Sequence, residues 1–138
     1  MAKLPPICLS LLLCDELTRD VSGRKTSIIG TFHLYEAPVF PTVVPRCAVW
    51  VELTDGHGAV SLALKLIRVT PRAIEGELLL EAPFTVTFTD PRTIHRHHLS
   101  VAGLELPGPG EYWLSLEASG RSLFERRLVA LTAGAGGP

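Results

Sequence analysis

A chain of 138 residues, 46% hydrophobic and 20% charged, has the composition of one globular domain able to bury a core without staples. Its formal net charge of −1 provides no broad basic field, which argues against a nucleic-acid partner held by phosphate neutralisation. Cys8, Cys14 and Cys47 form an odd set without CxxC spacing and fit reduced thiols in a cytoplasmic protein.

Ten arginines against three lysines, with abundant Ala, Gly and Pro, point to a GC-rich bacterial source. The N-terminus superficially resembles a lipoprotein signal ending at Cys14. The apolar run is short, however, it follows Pro5-Pro6, and Leu13 stands where processing wants a small side chain. No apolar stretch approaches the ~20 residues of a membrane span, so the chain reads as soluble, with no membrane partner.

Period-two alternation recurs between breaks rich in Gly, Pro and Asp. Ile7, Leu9, Leu11 and Leu13 share one parity and predict a first strand, followed by a polar turn from Asp20 to Lys25 around Gly23. A second strand is predicted over Thr26 to Tyr35, with Ile28, Phe32 and Leu34 inward and Gly30 at a bulge or close approach. The proline-dense stretch from Glu36 to Pro45 reads as a crossing loop.

Cys47, Val49, Val51 and Leu53 predict a third strand, and Asp55-Gly56-His57-Gly58 a hairpin turn into a fourth at Val60 to Leu66. A fifth strand starts at Ile74 and is kinked by Pro83 before Phe84, Val86 and Phe88. Another spans about Ile94 to Leu104, and a closing pair, Tyr112 to Ala118 and Leu123 to Leu131, turns at Ser119-Gly120-Arg121. Residues 1–132 are expected to form a single domain and 133–138 a flexible Gly/Ala-rich tail. No segment sustains a helical period, so the strands bury their apolar faces against one another. The predicted fold is an all-β antiparallel sandwich of about eight or nine strands, immunoglobulin-like or C2-like.

Leu12-Leu13-Cys14-Asp15, Ile29-Gly30, Ala37-Pro38-Val39-Phe40-Pro41, Thr54-Asp55-Gly56-His57-Gly58 and Pro109-Gly110-Glu111-Tyr112 occur in that order. Together they resemble a bacterial family of small uncharacterised single-domain β-sandwich proteins, a domain of unknown function. The resemblance implies a cytoplasmic β-sandwich and carries over no catalytic or binding residue.

The most distinctive local chemistry is Arg92-Thr93-Ile94-His95-Arg96-His97-His98. His95 and His97 share a strand face and could both reach a metal, but no third ligand can be placed beside them. They also share parity with apolar Leu99 and Val101, so either a bulge intervenes or the strand end protrudes beyond the core. The expectation is a polar edge or contact surface whose charge responds to pH near ~6.5.

Asp20, Asp55 and Asp90 offer about one carboxylate per loop, which suits turns better than calcium. Cys14 lies in an apolar strand without a motif-linked base and reads as a small hydrophobe, not a nucleophile. Gly56-His57-Gly58 opens no helix and therefore cradles no phosphate. Gly136-Gly137-Pro138 resembles the end of a ubiquitin-like precursor, but the chain lacks the helix of that fold.

Trp50 and Trp113 both have parity pointing away from the main core, toward either an interaction surface or packing under a loop. These readings converge on a non-catalytic module without cofactor that binds a protein partner or its own copies through Trp50, Trp113, Arg92, His95, Arg96, His97 and His98. A small-ligand or carbohydrate-binding sandwich using the outward aromatics is the alternative.

Overall fold

The computed structural model describes residues 4–71 and 73–133, without the side chains of 73–75. Nine strands succeed one another: β1 (Ile7–Arg19), β2 (Thr26–Thr31), β3 (Leu34–Ala37), β4 (Thr42–Thr54), β5 (Gly58–Thr70), β6 (Ala73–Phe88), β7 (His95–Leu106), β8 (Gly110–Ala118) and β9 (Arg121–Thr132). They form a four-stranded sheet ordered β2-β1-β4-β7 and a five-stranded sheet ordered β3-β9-β8-β5-β6. The runs β1-β4-β7 and β9-β8-β5 reproduce the A-B-E and G-F-C orders of an immunoglobulin-type sandwich.

Most of the alternating residues meet between the sheets. Ile7 and Leu9, which share the parity of Leu11 and Leu13, are exposed because the register of β1 shifts between Cys8 and Ser10, and Leu34, expected inward, is exposed as well. Leu11, Leu13, Val49, Val51, Leu62, Leu64, Val86, Leu114 and Leu116 are buried, and Phe32 and Phe84 pack half-buried at the margin of the same cluster. Tyr112, fully buried at the start of β8, turns its hydroxyl back to Gly108, donating to its carbonyl and accepting from its N–H. That closure is the tyrosine corner of immunoglobulin-type domains. It satisfies a phenol that burial would otherwise penalise.

The structure also corrects where several strands begin and end. The strand expected over Thr26 to Tyr35 is two strands in different sheets: β2 pairs antiparallel with β1, whereas β3 pairs parallel with β9 from Leu34↔Val129 to Ala37↔Thr132. The sandwich is therefore antiparallel except at this pair. Gly30, at φ +70°, sits where the chain leaves β2.

The expected crossing loop ends sooner, because β4 starts at Thr42 and steps past Pro45 opposite Gly103, where pairing skips from Val44↔Leu104 to Arg46↔Ala102. As expected, one strand, β6, continues through Pro83 to Phe88. This strand is a sheet edge, where a missing N–H costs no ladder bond, and Pro83 pairs in register with Ala63. Finally, β1 runs on through Arg19, and its second half is what makes the hairpin with β2. The inward placement expected of Ile74 and the tail from residue 134 fall outside the described residues.

Candidate interaction face

The strand β1 belongs to two pairings in succession. Ile7 to Cys14 pair with β4, and Cys14 to Arg19 pair with β2, so the chain changes partner at Cys14. Beyond that point the β1–β2 hairpin crosses the outer face of the four-stranded sheet. Arg19 Nη2 lies 3.4 Å from His98 Nδ1 on β7, and Arg96 Nη1 donates to the Arg24 carbonyl at 3.4 Å. Cys14, Ala48 and Trp50 are buried outside the main core, Trp50 at 5% exposure. Leu17 and Ile28, paired across the hairpin and each half-buried, form its apolar underside.

Local chemistry holds this arm in shape. Asp20 Oδ1 accepts from Ser22 Oγ at 2.9 Å and from the N–H groups of Arg24 and Lys25, and these bonds hold its carboxyl below the usual carboxylate range. At the base of the arm the Asp15 carboxyl lies against Gly30, where an added Cβ would stand 2.4 Å from Oδ2. Two of the segments that carry the family resemblance thus meet in space.

Between arm and sheet lies a cleft of about 470 Å³, with Asp15, Leu17 and Arg19 above and Arg46, His98 and Ser100 below. Sequence reading passed over Asp15, Arg19, Arg24 and Arg46 because it ended the first strand at Cys14. The continuing alternation of Asp15, Leu17 and Arg19 against Glu16 and Thr18 was the available signal.

The histidines divide by strand parity. His97 faces inward and stacks on Phe84, centroids 4.3 Å apart, and His95 meets Phe88 edge-on at 4.5 Å. No bulge intervenes and the strand end does not protrude. The imidazoles act as rim aromatics that close the seam between edge strands β7 and β6. Burial, and after it the charge of His98, holds the His97 imidazole below the usual histidine range.

Arg96 and His98 face outward, Arg96 Nε lying 3.5 Å from Glu52. Arg92 stands in the β6–β7 loop, ion-paired with Asp90 at 3.2 Å. The residues expected to share one surface are therefore split among a seam, an outer face and a loop.

The tryptophans are split as well. Trp50 points away from the main core, as its parity implies, yet is buried, at a register position opposite His98, which Arg19 of the hairpin meets. Trp113 is half-buried on the outer face of the five-stranded sheet, with the Arg127 guanidinium 5.0 Å from its ring. The two indoles lie on opposite sides of the molecule. Around Trp113 the cations are matched: Lys65 pairs with Glu117 and Glu81, Arg68 with Glu77, and Arg127 with Glu111. On the hairpin face Arg19, Arg24 and Lys25 form no ion pair among the described residues.

The thiols are poorly disposed to react. Burial pushes Cys8 and Cys14 up and takes Cys47 to about 11, so each is held as a neutral thiol at ordinary pH. All three are free. Among the described residues no three His, Cys, Asp or Glu side chains are grouped to hold a metal ion, and no helix is long and apolar enough to cross a membrane.

A family model matches residues 9–130, from the first strand nearly to the end of the last. This chain belongs to the family of unknown function DUF6941. No curated protein matches the sequence. Among solved structures, an immunoglobulin-like protein from Pseudomonas aeruginosa is 12% identical over 95% of this chain and 100% of its own, with a TM-score of 0.44. A β-glucosidase from Listeria innocua is 10% identical with a TM-score of 0.46, and a β-D-glucoside glucohydrolase from Trichoderma reesei is 15% identical with a TM-score of 0.43. The DUF6941 chain spans only 16% and 14% of those two enzymes.

Proposed function

We propose that this DUF6941 protein is a non-catalytic binding module whose partner is another protein, engaged at the face formed by the β1–β2 hairpin and β7. The observation that supports this reading is the electrostatic contrast between the outer faces. Around Trp113 on the five-stranded sheet Lys65, Arg68 and Arg127 sit on carboxylates, whereas Arg19, Arg24 and Lys25 of the hairpin form no ion pair among the described residues, and Arg19 reaches His98 on β7. Cations left free of ion pairs on a rigid sandwich can steer and select a partner.

Catalysis has little support. The cysteines are held protonated, and the inward histidines are occupied with ring packing. Nor do the aromatics present a sugar platform, since Trp50 is buried and Trp113 lies under Arg127.

The test is affinity capture from the native source with the unaltered chain, an Arg19→Glu/Arg24→Glu variant and an Arg121→Glu control on the far hairpin. A stoichiometric protein lost only from the hairpin variant is the expected result. Equal recovery by all three chains would move the partner elsewhere on the surface.

A further inference from the structure

We infer that β7 is the docking edge for an acidic, extended segment of the partner, which adds as a fifth strand to the four-stranded sheet. This rests on the reading of the chain as a protein-binding module and names the chemistry of what it binds.

The fold has four sheet edges, and three are guarded. Edges present unpaired N–H and C=O groups, and proteins commonly blunt them with short strands, proline, bulges or charge. β2 has six residues and β3 has four. β6 is long but carries Pro83 and register shifts at Leu66/Ile67 and Arg68/Thr70 against its neighbour. β7 pairs with β4 at eleven positions, contains no proline, and keeps unbroken register from His95 to Ala102. Its other backbone side has no strand partner among the described residues.

What β7 carries instead is a pair of basic side chains on one face. Arg96 and His98 project outward, Arg19 of the hairpin lies against His98, and the Arg24 carbonyl accepts from Arg96. Of the carboxylates nearby, Glu52 is engaged by Arg96, Asp20 by its own turn and Asp90 by Arg92, while Asp15 lies against Gly30 and Glu16 lines the cleft beside Arg19, neither in an ion pair with the hairpin cations. A second copy pairing along β7 would bring a second Arg96 guanidinium to the same edge, and like charges disfavour cross-strand pairing. An incoming strand with carboxylates at alternate positions would meet the same row favourably. Its remaining side chains would point to the other face and lie beside His95, His97 and Leu99, which are half-buried. The recognised segment therefore alternates acidic with apolar residues.

The probe is a short fluorescein-labelled peptide of alternating Glu and Val, compared with a Lys/Val counterpart and with a peptide that segregates the Glu from the Val. Anisotropy on the full chain is expected to show saturable binding of the alternating acidic peptide alone. Arg19→Glu/Arg24→Glu should weaken it by roughly tenfold or more, and so should raised salt. Hydrogen exchange should slow at those amides between His95 and Ala102 that point away from β4.

Equal binding of the Lys/Val peptide, or protection appearing along β6, would overturn this inference while leaving a protein-binding module intact. No binding of any of the three peptides would overturn the docking edge. If affinity capture also recovered the same proteins with the hairpin variant, the functional reading would fall with it.

Discussion

Gly30 shows how a single residue sets the base of the arm. At φ +70° it occupies backbone space that other residues enter at a cost of about 1–3 kcal/mol, and any Cβ there also displaces the Asp15 carboxyl. Gly30→Ala should lower stability by about that amount in denaturant titration. Tyr112→Phe removes the hydroxyl that both groups of Gly108 use, and should cost about 1–3 kcal/mol by the same measurement.

For His97 the direction of the pH effect follows from its depressed affinity for a proton. Between its native value and the unfolded value of ~6.5 the unfolded chain binds more protons. Its contribution is thus complete above that pH and lost as pH falls toward the native value. Melting temperature of the wild type should fall across this window, and His97→Phe should reduce the slope.

At the scale of elements, the arm and the sandwich are separable packing units. Leu17→Ala/Ile28→Ala removes the arm's apolar underside but leaves the inter-sheet cluster untouched. In a Trp113→Phe background, Trp50 emission should shift to the red and become quenchable by acrylamide, with little change in the main thermal transition. Unchanged emission would mean that the hairpin is not what shields the indole.

Element type was legible in the sequence because parity reports which residues share a face. Parity does not report which sheet a strand joins. Thr26 to Tyr35 read as one strand because the switch between β2 and β3 leaves no mark in alternation beyond Gly30. His95 and His97 carried the correct inward parity, but the presence of Phe84 and Phe88 opposite them is a long-range fact. The hairpin face was missed for a similar reason: Arg19 and His98 are remote in sequence and meet only because β1 leaves its neighbour at Cys14.

Across the whole molecule, stability rests on the inter-sheet core, and Leu64 stands at its centre, paired with Ala82 on one side and Leu116 on the other. Leu64→Ala should cost about 2–5 kcal/mol in equilibrium unfolding, far more than any change on the hairpin face. The parallel pair of β3 with β9 has a consequence in time. Leu34 finds Val129 only once nearly the entire chain exists, and the His33 carbonyl waits for the Val129 N–H, 2.9 Å away in the finished fold. The β1–β2 hairpin closes over a short loop and can form during synthesis, whereas the seam beside β3 stays open until the last strand leaves the ribosome. A nascent chain halted before Arg121 should therefore be cleaved by protease around Leu34 to Ala37, and the released full-length chain should be resistant there.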